Sequence, residues 1–170
     1  MVIIMTFFDT KFKLSDIIYI MNKQKIVLSV LRYAMGFVFL WAFFDKLFGL
    51  GFATTTEKSW INGGSPTAGF LSFGVQGPFA DFFSMLAGIA IVDWLFMLGL
   101  LFIGLTLVFN KYIKWGCLAG SIMLLLMYLA LLLPANNPFI DEHIIYILVL
   151  ALIALNASEK IKIETTTQSL

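Results

Sequence analysis

The motif NNPFIDEHIIY, which ends at Tyr146, contains the residues of this chain best suited to acid–base chemistry. His143 is the only histidine, and an imidazole changes its charge near neutral pH. Asp141 could orient the imidazole ring so that it gives a proton to a bound carbonyl, and Glu142 lies beside it. Acids are also favoured at the start of a helix by the helix dipole. A structural role for all three residues therefore stays open beside the catalytic one.

A second group of polar residues lies in the loop motif SWINGGSPT, between Ser59 and Thr67. Consecutive glycines and a Ser-Pro-Thr turn could direct several backbone N–H groups at one anion. The motif lacks the GK[ST] of a P-loop, which excludes a nucleotide site. The alternative is a turn-rich re-entrant lid held down by Trp60, Phe70 and Phe73. The candidate binding residues of the loop are Trp60, Asn62, Gly63, Gly64 and Ser65.

Four further ionisable residues lie in or beside apolar runs: Arg32, Asp45, Lys46 and Asp93. Ionisable groups are costly in a bilayer and therefore suggest function. We predict Lys46 as a catalytic residue and the other three as binding residues. Simpler interpretations exist: Arg32 could snorkel to the headgroups, and Asp93 could mark the interface with Trp94 or face Lys46. Adjacent residues point in different directions on a helix, so Asp45 and Lys46 should find partners on other spans.

The composition indicates a membrane protein. Of the 170 residues, 61% are hydrophobic and 12% are charged, which is more apolar surface than a water-soluble domain of this size can bury. The net charge of +1 argues against a nucleic-acid partner, because phosphate binding needs clustered Lys and Arg. The single Cys117 excludes an internal disulfide and a thiolate metal site, and the single histidine excludes a bis-histidine haem. We expect no haem, flavin or metal in this chain.

Four apolar runs have about the 20 residues that a helix needs to cross a bilayer. They are residues 26–44, 92–109, 115–133 and 138–157. The predicted fold is an all-α integral membrane protein, a four-transmembrane-helix bundle with an extracytoplasmic re-entrant or interfacial segment between spans 1 and 2. That segment is residues 47–91, with an interfacial helix over 79–91. Residues 1–25 are predicted to form an N-terminal interfacial segment and residues 158–170 a cytoplasmic tail.

The basic residues predict the orientation of the spans, because cytoplasmic loops carry an excess of Lys and Arg. Nine basic residues fall on one side of the predicted bundle: Lys11, Lys13, Lys23, Lys25, Arg32, Lys111, Lys114, Lys160 and Lys162. The other side has only Lys46 and Lys58. It carries six acids, which are Asp45, Glu57, Asp81, Asp93, Asp141 and Glu142. Both termini of a multi-pass protein of the cell membrane are therefore predicted to be cytoplasmic.

Four motifs together resemble the DoxX/DoxD family of small four-helix membrane proteins: LRYAMGFVFLWAFFDKLFGLGF, WINGGSPTAGFL, DWLFMLGLLFIGLTLVF and NNPFIDEHIIY. The resemblance covers about residues 28–155 and is strongest in the WINGGSPT loop and the NNP…DEH helix start. The family includes the large subunit of thiosulfate:quinone oxidoreductase. By position, the resemblance points to Arg32, Asp45, Lys46, Trp60, Asn62, Gly63, Gly64, Ser65, Pro66, Asn137, Asp141 and His143.

The resemblance implies a subunit that passes electrons from thiosulfate to a membrane quinone, beside a small single-span partner subunit. Thiosulfate would bind against Lys46 and the loop N–H groups, while a quinone would reach His143 from the lipid. The alternative is a non-catalytic accessory subunit of a respiratory membrane complex such as a terminal oxidase, or a holder of lipid or quinone. Six acids on the side of the site oppose an anionic substrate, which favours the alternative.

Overall fold

The computed structural model describes residues 14–134, 137 and 139–168, with side chains for residues 19–134, 137 and 139–157. Within these residues the chain is helical and contains no strand. Two single turns of 3₁₀ helix, Thr56–Lys58 and Trp60–Asn62, lie in the loop that follows α1. The α-helices are α1 Leu14–Phe48, α2 Ala68–Phe73, α3 Ala80–Ser84, α4 Ala90–Phe109, α5 Ile113–Ala130 and α6 Glu142–Gln168.

Three helices in the described part of the chain are long and apolar enough to cross a membrane: Tyr19–Phe48, Ala90–Phe109 and Ile113–Ala130. They correspond to the first three predicted spans. The described apolar part of α6, Glu142–Ala157, is shorter. The protein is therefore a helical membrane protein, as its composition indicates.

Several predicted boundaries differ from those of the structure. The predicted interfacial helix 79–91 is wrong in extent, because α3 ends at Ser84 and turns follow as far as Gly88, whose φ of 76° interrupts any helix. The fourth predicted span begins at Pro138, which lies outside the described residues, whereas α6 begins at Glu142. Leu133, predicted inside the third span, follows the end of α5 and has a positive φ of 66°.

The N-terminal part of the chain belongs to a separate unit. Contacts divide the chain between Val30 and Leu31, and α1 begins in the first unit. Of the predicted interfacial segment 1–25, residues 1–13 lie outside the described residues and the rest are helical. Within this unit Lys23 Nζ lies 4.4 Å from the centre of the Tyr19 ring, one turn away.

The second unit has one main apolar core, to which α1, α4, α5 and α6 all contribute. On α4 the buried positions recur every three or four residues, as expected for a helix that packs by one face. The buried side chains of this core are Met35, Phe39, Phe43, Met97, Leu100, Ile103, Leu107, Cys117, Leu124, Leu150 and Ile153.

Glycines allow the helices to approach each other closely. A Cβ added at Gly36 on α1 would lie 2.8 Å from Val108 Cγ2, and one added at Gly104 on α4 would lie 2.5 Å from Leu40 Cγ. Because Gly36 meets the end of α4 while Leu40 meets an earlier turn, the two helices run antiparallel. On α5, a Cβ at Gly120 would lie 2.8 Å from Leu150 of α6 and 3.3 Å from Ile103 of α4.

The contacts of Gly120 define one level through the bundle. Lys46, Phe96 and His143 lie at equal distances from this level, measured along the helices. Phe39, Ile103 and Leu150 all approach Gly120. Lys46 follows Phe39 by seven residues, whereas Phe96 precedes Ile103 and His143 precedes Leu150 by seven. A helix rises 1.5 Å per residue, so the backbones of Lys46, Phe96 and His143 lie about 10 Å from this level. We call their side of the bundle the loop end.

We predict that Gly36→Ala destabilises the bundle. Its methyl group would meet Val108 Cγ2 and, at 3.3 Å, the backbone nitrogen of Val108, so α1 and α4 must move apart. Overpacking of this kind costs about 1–3 kcal/mol. The measurement is thermal unfolding in detergent. Gly69→Ala is the matched control, because a Cβ at Gly69 meets nothing within 4 Å; equal midpoints for the two variants would contradict the close contact.

Candidate functional site

The loop end carries a buried polar layer. Six polar or charged side chains are buried in the described part of the chain, and only Thr106 lies away from this end. A buried polar group is costly unless it is hydrogen-bonded, so each member of the layer needs partners. The five members at the loop end, with their exposed fractions, are Asp45 2%, Ser59 0%, Thr67 6%, Asp93 7% and His143 6%.

Asp45, near the end of α1, binds the backbone that follows that helix. Its Oδ1 accepts a hydrogen bond from the Phe52 N–H at 3.2 Å, and its Oδ2 accepts one from the Ala53 N–H at 3.0 Å. The chain reverses at Gly49, whose φ of 68° suits glycine. The prediction that Asp45 would find its partners on another span is therefore wrong, because the nearest free donors are two N–H groups of its own loop.

Asp93, in the first turn of α4, binds the SWINGGSPT loop. Its Oδ1 accepts hydrogen bonds from Ser65 Oγ at 2.8 Å, from Thr67 Oγ1 at 2.6 Å and from the Thr67 N–H at 3.2 Å. Beside it, the rings of Trp60 and Trp94 meet edge to face with centroids 4.6 Å apart. Asp93 therefore neither pairs with Lys46 nor simply marks the membrane interface. It anchors the loop.

The loop does not present the anion cradle that the glycines suggested. The N–H groups of Asn62 and Gly64 donate to the Ser59 carbonyl, and that of Gly63 donates to the Trp60 carbonyl. These three donors are consumed within the loop, so they are not free for an anion in this conformation. Asn62 Nδ2 also donates inside the loop, to the Thr56 carbonyl at 2.8 Å.

The alternative interpretation, a packed lid, agrees with most of the contacts. Trp60 packs against the main core, and Phe70 packs against a second cluster formed by Leu71, Phe83 and Ala130. The predicted third anchor is wrong, because Phe73 is 91% exposed. Phe73 is the last residue of the short helix α2, and its side chain packs against neither of the two apolar clusters.

Sequence reasoning missed Ser59 and Thr67 as structural residues. Ser59 Oγ donates to the Thr56 carbonyl at 2.7 Å, and Thr67 gives Asp93 two of its three hydrogen bonds. One signal pointed to Thr67: an acid inside an apolar run needs donors, and the nearest hydroxyl-rich stretch of sequence is the Ser-Pro-Thr turn.

Arg32 is not part of this site. Its Nη1 donates to the carbonyls of Leu107 and Val108, the latter at 3.2 Å, in the last turn of α4. Its guanidinium also lies 4.2 Å from the centre of the Tyr33 ring. The last carbonyls of a helix lack partners within the helix and carry partial negative charge, so a cation stabilises them. Arg32 therefore caps α4 at the opposite end of the bundle from His143.

Lys46 lies at the level of His143 without a close ion pair. Its Nζ is 5.9 Å from the centre of the Phe96 ring. Within the described residues, no carboxylate oxygen lies within 4 Å of Nζ. Asp45 is adjacent in sequence, but its carboxylate binds the loop backbone. The half-buried Lys46 amine is therefore not used by a close ion pair within the described residues.

Asp141 and His143 form a hydrogen-bonded pair at the start of α6. Asp141 Oδ1 accepts from the N–H groups of His143 at 3.0 Å and Ile144 at 3.2 Å, which makes Asp141 the N-cap. Asp141 Oδ2 lies 2.7 Å from His143 Nδ1, and both side chains are more than nine-tenths buried. Asn137, one of the residues to which the family resemblance points, accepts hydrogen bonds from the N–H groups of Phe139 and Ile140, before the helix begins.

The pair leaves one imidazole nitrogen free for chemistry. An ionised carboxylate only accepts hydrogen bonds, so Nδ1 donates to Asp141 and the second ring nitrogen, Nε2, takes no part in that bond. His143 Nε2 has no hydrogen-bond partner within the described residues, and none of their fully buried side-chain nitrogen or oxygen atoms lacks one. Nε2 is the ring nitrogen that the Asp141 carboxylate does not engage. The geometry is that of a carboxylate-oriented acid–base group.

Glu142, predicted as a binding residue, is exposed. Within the described residues its side chain makes no hydrogen bond or ion pair with Asp141 or His143. Ligand atoms of Asp141, Glu142 and His143 lie within 4.8 Å of one another. The hydrogen bond between Nδ1 and Oδ2 already uses one atom of His143 and one of Asp141. This geometry suits an oriented imidazole better than a metal site.

Comparison of the chain with protein-family models, with curated proteins and with solved structures found no match.

We predict that Asp93→Ala releases the SWINGGSPT loop. The variant loses three hydrogen bonds to one carboxylate oxygen, and each bond to a charged group is worth about 1.5–3 kcal/mol. The measurement is limited trypsin digestion at Lys58, which is exposed in the same loop. Asp81→Ala is the matched control because Asp81 is exposed. Equal cleavage rates at Lys58 in the two variants would show that Asp93 does not hold the loop.

Proposed function

We propose that this chain is a DoxX/DoxD-like membrane protein whose loop end binds a quinone and gives it a proton from His143. The observation that carries the proposal is the 2.7 Å contact between Asp141 and His143 Nδ1, which leaves Nε2 open. Protonated Nε2 would donate to a quinone carbonyl, and the Asp141 carboxylate would stabilise the imidazolium. Lys46 lies at the same level of the bundle, and its positive charge would favour negative charge that develops on the quinone oxygen.

The proposal includes a topology of four spans, with α6 as the fourth. Both termini would be cytoplasmic in the cell membrane, and residues 47–91 would form the extracytoplasmic segment. The contacts support this arrangement: α5 and α6 run antiparallel, because Tyr128 near the end of α5 donates to the Phe139 carbonyl just before α6. The exposed Glu57 and Lys58 suit a loop that meets water.

The electron donor we propose is thiosulfate. Two thiosulfates each give up one electron and join through a new S–S bond to form tetrathionate. The quinone takes up these two electrons and two protons, one from His143 and one from water, and His143 regains its proton from water. Lys46 is the candidate counter-charge for thiosulfate. The loop N–H groups of Asn62, Gly63 and Gly64 are engaged and add nothing here. The small single-span subunit would be the partner.

A second candidate function is a non-catalytic accessory subunit of a respiratory complex such as a terminal oxidase. One observation favours it: the carboxylates of Asp45 and Asp93, which lie in the same polar layer as His143, serve as acceptors for the loop. A polar layer that only holds a lid in place needs no substrate. Under this function Asp141 would serve only as the cap of α6.

We predict that His143→Gln lowers thiosulfate-dependent reduction of a short-chain quinone analogue by about 100-fold or more, because a positioned acid contributes 10²–10⁴ in rate. The rate is measured in membranes that contain the protein. Glu142→Gln is the matched control, since Glu142 neighbours the site but is exposed, and it should keep the normal rate. A normal rate in His143→Gln would refute the acid role. Copurification of an inactive wild-type protein with a haem-bearing complex would favour the accessory function.

A further inference from the structure

The segment of residues 79–89, which contains α3, has three distinct sides. Phe83 is a buried member of the second cluster, and Leu86 and Ala87 pack against that cluster. Asp81 and Ser84 lie three residues apart and are exposed. The remaining side is apolar and also exposed, with Phe82 61% and Met85 77% accessible. The residues of this exposed apolar side are Phe79, Phe82, Met85 and Ile89, of which Phe82 lies within α3 and the others flank it.

Contacts fix the depth of this segment in the bundle. The Gln76 N–H, just before it, donates to the Ala130 carbonyl at 2.9 Å, and Gln76 Nε2 donates to the Leu131 carbonyl at 3.4 Å. These are carbonyls at the end of α5, which have no partner within the helix. Phe83 belongs to the same buried cluster as Ala130, and Val92 of α4 packs against it. The segment therefore lies level with the last turn of α5 and the first turn of α4.

We propose that residues 79–89 lie at the headgroup–acyl boundary of the bilayer and insert their apolar side into the acyl chains. Both α4 and α5 are membrane-spanning candidates, so the depth shared with their ends is that of a bilayer interface. In the first turns of α4, which follow the segment directly, Ile91, Trp94 and Leu95 are also exposed apolar side chains. The occupant of this surface is the lipid of the leaflet at the loop end.

The three sides match the three environments at such a boundary. A helix in the interface turns one side to the protein, one to the acyl chains and one to headgroups and water. Phe83 takes the first role, Phe82 and Met85 the second, and Asp81 and Ser84 the third. Short helices suffice because the segment lies along the boundary and does not cross it. This surface anchors the loop end in one leaflet, which is a role separate from the chemistry of His143.

Depth-dependent quenching in liposomes tests the proposal. A Cys117→Ala background removes the one native cysteine, and single cysteines at Phe82, Met85, Asp81 or Ser84 carry an environment-sensitive fluorophore. Quenchers are a lipid with a nitroxide high on its acyl chain and aqueous iodide. We expect the lipid nitroxide to quench the labels on Phe82→Cys and Met85→Cys several-fold more than those on Asp81→Cys and Ser84→Cys. Iodide should show the reverse order.

Two further labels calibrate the depth scale. Ile122→Cys, exposed in the middle of α5, should report deep lipid, and Lys111→Cys, exposed between α4 and α5, should report water. Circular dichroism confirms that each variant folds. Iodide quenching of Phe82→Cys as strong as that of Asp81→Cys would overturn the proposal. So would protection of Phe82→Cys from both quenchers, which would indicate a protein partner or a second copy of the chain on this surface.

Discussion

Two buried carboxylates at the loop end determine how the rest of this end is built. A carboxylate inside an apolar bundle is tolerated only when donors surround it, because burial removes its water. Asp45 obtains its donors from the backbone of Phe52 and Ala53, and Asp93 obtains its donors from Ser65 and Thr67. The loop between α1 and α2 is thereby fixed to α1 through Asp45 and to α4 through Asp93. Several of its own carbonyls and N–H groups pair locally, which keeps the loop compact.

This constraint separates structural polar groups from reactive ones. Arg32 neutralises the carbonyls at the far end of α4, and Asp45 and Asp93 bind the loop. Within the described residues Lys46 makes no close ion pair and His143 Nε2 makes no hydrogen bond, and the backbones of the two residues lie at the same level of the bundle. Both the quinone function and the accessory function have to explain why Lys46 and His143 Nε2 lack such partners. The quinone function does so through an oriented imidazole at the same level of the bundle as Lys46, whereas a purely structural layer gives Nε2 no role.

The sequence predicts helices in this protein better than it predicts the partners of polar residues. Apolar runs of the length of a bilayer located α4 and α5 within a few residues, because that signal depends on composition alone. The hydrogen-bond partners of Asp45 and Asp93 depend on which donors the fold brings near them, and neither acid forms an ion pair with Lys46. The glycines of SWINGGSPT suggested an anion site, but glycine also permits a loop to close on itself, and only the hydrogen bonds distinguish the two outcomes. The side chain of Asp141 was both a cap and an orienting group, so its two interpretations were not exclusive.

Hydrogen exchange at individual N–H groups of the loop tests most directly whether the two carboxylates hold it on the bundle. The N–H groups of Phe52, Ala53 and Thr67, measured by NMR in lipid nanodiscs, should exchange far more slowly than that of the exposed residue Thr55. Exchange of all four at the same fast rate would contradict the account, because the loop would then be free of Asp45 and Asp93.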